Sequence, residues 1–198
     1  MTPLVNLVEF LSCRKGSEII NSGKKFENAI KCAIPDYCIY YRLPDAPQSF
    51  NQSSSLRFSW KNPCDCFIFD SHSSIFYALE LKTTENNNFS FEDIDIEGKQ
   101  PSKMIHKHQI LALLDYSKYN NVQAGFLYNF RNKKSGTEIT YFQDINDFMK
   151  MVNGIRKKSF NKNDLLKYNP IEISGKKKRI NYTWNIDKFL VEMRCCNV

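Results

Sequence analysis

Two short apolar runs joined by a polar turn constrain this chain most, because each carries charge where an apolar strand should have none. Residues 64–69 alternate, with Asp65, Phe67 and Phe69 on one face and Cys64, Cys66 and Ile68 on the other. Residues 70–74, Asp-Ser-His-Ser-Ser, read as a turn. Residues 75–82 read as a second strand with Phe76, Ala78, Glu80 and Lys82 on one face. Strands this close pair as a hairpin. Asp65, Glu80 and Lys82 then converge on one spot. Burying charge is costly unless it is compensated, so the convergence points either to a site or to a turn cap and a solvated edge.

Elsewhere the pattern is ordinary. Residues 22–34 read as a helix with Ser22 as N-cap and Phe26, Ala29, Ile30 and Ala33 as its apolar stripe, ended by Pro35. Residues 37–43 read as a strand. Residues 86–101 read as an acidic loop, and residues 102–119 as a helix with Ser102 as N-cap. Residues 122–130 and 138–142 read as strands, and 144–152 as a helix opened by Asp144. The order α, β, β, β, α, β, β, α predicts an α/β fold, a mixed central sheet flanked by helices. The 198 residues suit one domain, with an insertion at about 45–62 and a basic extension from about 155. The insertion region is rich in Pro, Ser and Asn and carries Phe50, Phe58, Trp60, Arg57 and Lys61. It reads as a long loop or a protruding hairpin.

Composition narrows the class. Lys plus Arg is 28 against 21 Asp plus Glu, a net charge of +7, which suits an anionic partner without proving one. Seven cysteines, an odd number, argue against a full disulfide framework and for a reducing compartment. Cys64/Cys66 and His106/His108 are spaced too tightly for the common zinc sites. No apolar stretch is long enough for a membrane helix, and residues 1–12 lack the pattern of a secretory leader, so a cytoplasmic location and no membrane partner are expected.

Two carboxylates and an ammonium form a chemically sensible group. Carboxylates are hard oxygen ligands suited to Mg²⁺. Such an ion polarises phosphate and lowers the pKa of bound water. The ammonium can orient that water or offset charge developing on phosphorus.

At this point the sequence resembles the PD-(D/E)xK nucleases through Pro63, Asp65 and Glu80-Leu81-Lys82, although Cys64 separates Pro63 from Asp65. More narrowly it resembles the RecU family of Holliday junction resolvases of Gram-positive bacteria and their phages. Gly23-Lys-Lys-Phe-Glu27 is similar to that family's first-helix motif. Residues 47–60 stand where the family has a stalk. Glu80-Leu-Lys82-Thr83 matches its core motif, and His106-Lys-His108-Gln109-Ile110 its later helix. The resemblance covers roughly residues 20–150.

It implies a restriction-endonuclease-like core and Mg²⁺ or Mn²⁺ held by Asp65, Glu80 and the Leu81 carbonyl. Glu27 is implied at the metal directly or through water, Lys82 at the attacking water, and Gln109 as support for the site or a contact to the scissile backbone. For Glu27 the alternative is a helix-surface pair with Lys24 or Lys31, and for His108 a structural role. Lys24, Lys25, Arg57, Lys61, Lys103, Lys107 and His108 are the expected DNA contacts. The activity implied is metal-dependent hydrolysis of four-way DNA junctions by a two-fold homodimer, with a phage origin as its setting. Another DNA nuclease of the superfamily, of restriction or repair type, and a non-catalytic DNA-binding protein of this fold are the alternatives.

Overall fold

The computed structural model describes residues 21–44, 61–179 and 181–196. The expected insertion, with Arg57, Phe50, Phe58 and Trp60, lies largely outside the described residues.

Helix α1 (Ser22–Lys31) packs Phe26 and Ile30 inward. Its N-cap is Asn21, whose side chain accepts from the Lys24 N–H, and not Ser22 as the sequence suggested. Asn serves as well as Ser at that position, and Ser22 is already helical.

Strands β1 (Cys38–Arg42), β2 (Cys66–Asp70) and β3 (Ile75–Thr84) follow. The hairpin of β2 and β3 pairs Cys66 with Leu79 and Asp70 with Ile75. Two long strands, β5 (Val122–Asn132) and β6 (Thr137–Asp144), and the short β8 (Ile171–Ile173) complete a six-stranded sheet ordered β1-β2-β3-β5-β6-β8. Only β3 and β5 run parallel, so the sheet is mixed, as expected.

Alternation along β3 sends side chains into two cores. Ala78 belongs to one, with Phe126, Tyr128, and residues of α2 (Lys107–Tyr116) and α3 (Ile145–Ile155). Tyr77, Leu79 and Leu81 belong to the other, with α1 and α5 (Ile186–Cys196). Helices therefore cover both faces, the arrangement that protects a parallel strand pair.

Three sequence expectations need correction. Residues 86–101 are not simply loop. They include β4 (Asn88–Ser90), which pairs with β7 (Ser159–Asn161) and buries Phe89 beside Phe160. Helix α2 begins at Lys107 rather than near Ser102. Residues 102–106 are held outside the helix because the Ile105 N–H donates to the Ser90 carbonyl and its own carbonyl accepts from the Glu92 N–H. The segment from about 155 is no mere extension. It supplies β7, the short α4 (Lys162–Leu165), β8, the hairpin of β9 (Gly175–Lys178) and β10 (Asn181–Trp184), and α5. Its Trp184, Phe189 and Leu190 are core residues.

Candidate metal centre

The site forms where β2 gives out and β3 continues. Pro63 has no N–H to extend the ladder. Asp65 makes the last backbone rungs, its N–H donating to Leu79 (3.1 Å) and its carbonyl accepting from Leu43 (3.0 Å). Beyond it the Asp65 side chain replaces the missing strand, and Oδ2 accepts from the Leu81 N–H at 2.7 Å. In a strand, the N–H and C=O of one residue point the same way, so the Leu81 carbonyl is directed at the same gap.

Glu80 sits beside this gap on the α2 face and is 1% exposed. Lys82, one alternation further, places Nζ 2.8 Å from Glu80 Oε1. Gln109 of α2 donates from Nε2 to the same oxygen at 2.5 Å. Burial, together with the negative charge of Asp65, pushes the Glu80 carboxyl up to about 8 despite Lys82. Burial also raises Asp65, against the pull of the Leu81 N–H and Lys82. Burial thus favours the neutral form of both carboxyls.

Such a pair fits a divalent cation. Oxygen donors from Asp65 and Glu80 and the Leu81 carbonyl are the hard ligands Mg²⁺ or Mn²⁺ prefers, and a cation would relieve the repulsion between the two carboxylates. Among the described residues no three His, Cys, Asp or Glu side chains gather in a metal-holding group.

Glu27 takes a neighbouring position. Its Oε2 accepts from Arg42 Nε at 2.9 Å, so its carboxylate pairs with Arg42 and with neither Lys24 nor Lys31. It still acts on Asp65 electrostatically, helping to raise it. Lys24, Glu27, Asn28 and Arg42 line an open hollow of about 210 Å³.

Gln109 is positioned by a chain of contacts that the sequence did not disclose. Its Oε1 accepts from the His106 N–H at 2.9 Å, tying the side chain to the start of its own helix. Glu92 then caps that helix, accepting from the Lys107 N–H (2.7 Å) and meeting His106 Nδ1 (3.0 Å). A carboxylate at a helix N-terminus also complements the macrodipole. Nothing in the acidic stretch singles out Glu92 beforehand. Arg42 was likewise missed, although its alternation partner on β1 would have placed it.

The other expected DNA contacts separate. Lys24, Lys25 and Lys61 are exposed. Burial, with Lys61 nearby, lowers the His108 imidazole below its ordinary value. His108 also stacks on His106, with ring centroids 5.6 Å apart. Lys107 turns away and donates from Nζ to the Ile96 carbonyl at 3.1 Å. Lys103 is half-buried in the extended stretch before α2.

No family model matches the sequence. Among curated proteins, the chain is 31% identical over 186 residues to the SPbeta prophage-derived uncharacterized protein YotM of Bacillus subtilis (strain 168), covering 87% of each. The chain is thus an α/β protein with a carboxylate pair at a break in its sheet. The chain belongs to the family of YotM.

Among the described residues no helix is long and apolar enough to cross a membrane.

Proposed function

We propose that this protein is a metal-dependent endonuclease of the PD-(D/E)xK type, resolving four-way DNA junctions in the manner of the RecU resolvases it resembles. The observation that carries the reading is the meeting of Asp65, Glu80 and Lys82, with Lys82 Nζ 2.8 Å from Glu80 and the Leu81 N–H 2.7 Å from Asp65. A structural ion pair would need only one carboxylate. A buried carboxyl and a half-buried one sharing a single ammonium are a poor choice for stability and a good one for holding a cation beside phosphate.

Asp65 and Glu80, with the Leu81 carbonyl, would hold Mg²⁺ or Mn²⁺. When bound, the ion supplies Lewis-acid polarisation of the phosphate and an acidified water. Lys82, 15% exposed at its side chain, is placed to orient the attacking water or to offset charge on phosphorus. Gln109 holds Glu80 in place and acts as a positioning residue. Arg42 and Lys24, lining the hollow beside Asp65, offer phosphate contacts. In-line attack would leave a 5′-phosphate and a 3′-hydroxyl. Paired nicks in a two-fold junction call for a two-fold homodimer. The prophage relative supports a phage setting.

The test is nicking of a synthetic four-way junction and a linear duplex with Mg²⁺, with Mn²⁺ and with EDTA. Junction cutting that needs the metal and is abolished by Asp65→Asn is expected. Deletion of residues 48–61 is expected to remove junction cutting. Metal-independent cutting, or cutting indifferent to Asp65→Asn, overturns the site. Binding without cutting under every metal makes the protein a non-catalytic DNA binder.

A further inference from the structure

The β9–β10 hairpin leaves the sheet at the end where the candidate metal centre lies. Through the ladder, Thr83 of β3 is level with Asn129, Thr140 and Ile173. Gly175 begins β9 two residues beyond Ile173, so the hairpin starts beside the last residues of β5, near the β5–β6 turn.

It is firmly seated. Trp184 is buried, meets Phe26 edge-on with centroids 6.2 Å apart and stacks on Tyr182 at 5.4 Å. Gly175 is required there, because a Cβ would come within 2.4 Å of the Trp184 ring. Lys177 Nζ and the Tyr182 hydroxyl both donate to the Gly136 carbonyl in the turn between β5 and β6. Phe26, which receives Trp184, precedes Glu27, whose partner Arg42 lies beside Cys66 and Asp65. Helix α1 thus links the hairpin to the rim of the metal centre.

The outward face of this rigid ribbon is cationic. Cross-strand pairs share a face, so Lys177 and Tyr182 point inward with Trp184, while Lys176 and Lys178 point outward. Lys176, Lys178 and Arg179 are all exposed. Several other surface lysines, Lys118, Lys150 and Lys188, sit against a carboxylate one helical turn away. On the hairpin, among the described residues, no carboxylate offsets the outward cations. The nearby Glu172 lies opposite Tyr141 across the β6–β8 ladder. Like charges side by side on a two-stranded ribbon are unfavourable for the ribbon itself. An anionic partner removes that penalty.

We infer that the outward face of the β9–β10 hairpin, through Lys176, Lys178 and Arg179, is a second contact for the DNA phosphate backbone, holding an arm of the substrate that extends from the metal centre across α1. This rests on the nuclease reading for the identity of the polyanion. The contact is to phosphates, so it adds affinity and orientation without sequence preference.

The experiment measures equilibrium binding of the full-length protein to a labelled four-way junction and to a linear duplex, in EDTA, across a salt series. The triple variant K176Q/K178Q/R179Q is expected to bind both DNAs about tenfold or more weakly at 0.1 M salt. Its plot of log affinity against log salt should be shallower by about two to three. The single variant K178Q, which disturbs the ribbon least, should lower the slope by about one, and K176R/K178R should restore wild-type binding. If the wild type binds and nicks DNA while these variants keep its slope and affinity, the hairpin inference fails alone. If the wild type binds no DNA, the nuclease reading fails and takes the inference with it. Variant-sensitive binding to vesicles containing phosphatidylserine, with DNA binding unaffected, reassigns the hairpin to a membrane surface and overturns the inference.

Discussion

Gln109 and Glu80 are joined by a 2.5 Å hydrogen bond from the amide Nε2 to Oε1, although they lie 29 residues apart on different elements. The other end of the amide is fixed by the His106 N–H, so its orientation is not free to reverse. Glu80 is therefore held from two sides, by an amide whose polarity is set by a helix terminus and by Lys82.

Gln109→Ala tests that arrangement. Loss of an outer hydrogen bond to a metal-ligating side chain typically costs 10–100-fold in metal affinity or activity. Junction nicking and Mn²⁺ affinity should fall by roughly that range, while the melting temperature falls only by the equivalent of a weakened helix start, about 1 kcal/mol. Gln109→Glu should be worse, since it sets a third carboxylate against Glu80. Calorimetric titration with Mn²⁺ and a melt of the same samples separate the two effects.

Glu80 makes the stability of the metal-free protein depend on pH in an unusual direction. Its folded-state value, about 8, lies above the ordinary 4.5 because of burial and Asp65. A raised acid favours folding while protonated, so its contribution is full below pH 4.5 and is lost as pH rises through 8. Glu80→Gln copies the protonated form, with an amide donor available to Asp65 and an oxygen for Lys82 and Gln109. In EDTA the variant should match the wild type near pH 5 and exceed it by on the order of a few kcal/mol above pH 8. It should also fail to gain stability from Mn²⁺. Denaturant melts at the two pH values, with and without Mn²⁺, measure both.

Much of this is legible in the sequence. Alternation in 64–69 and 75–82 placed Asp65, Glu80 and Lys82 correctly, because a half-buried strand writes its two faces into consecutive letters. The start of α2 was not legible. Residues 102–106 carry no helix breaker after Pro101, and what holds them extended is Ser90, a partner on β4. Phe89 and Phe91 lie in a polar stretch too short to show a period, yet both are core residues. For Glu27 the resemblance implies a place at the metal and its own helix offers Lys24 or Lys31 as the alternative; the ion-pair partner in the structure, Arg42, comes from β1. Local periodicity survives in sequence. Long-range polar pairing does not.

Gly125 lies in β5 between Leu79 of β3 and Asp144 of β6. A Cβ there would stand 2.2 Å from the Gln143 carbonyl oxygen and 2.8 Å from Phe142 Cε2. The first is backbone in a central strand pair and cannot step aside. Gly125→Ala should destabilise by roughly 2–3 kcal/mol through overpacking, read as a lower denaturant midpoint with an unchanged slope.

Asp70, at the end of β2, and Arg194, on the last helix, form a two-pronged pair, with Nε 2.8 Å from Oδ2 and Nη2 3.0 Å from Oδ1. The Asp70 side chain is wholly buried and also accepts from the His72 N–H and the Ser73 hydroxyl. Burial pushes its carboxyl up, but Arg194, Ser73 and His72 together outweigh it and leave it below the ordinary value of 3.8. A depressed acid stabilises the fold above 3.8, and that contribution is lost as pH falls through the lowered value. Arg194→Ala leaves a buried carboxylate unpaired and should cost roughly 3–5 kcal/mol at pH 7. Its penalty should shrink as pH falls below 3.8 and through the lowered value, where Asp70 protonates in the folded wild type as well. The exposed pair of Lys118 and Asp115 is the control. Lys118→Ala should leave the melting temperature unchanged, because solvent already screens it. Equal losses from the two substitutions would show that Arg194 does not fasten the last helix to the β2–β3 hairpin.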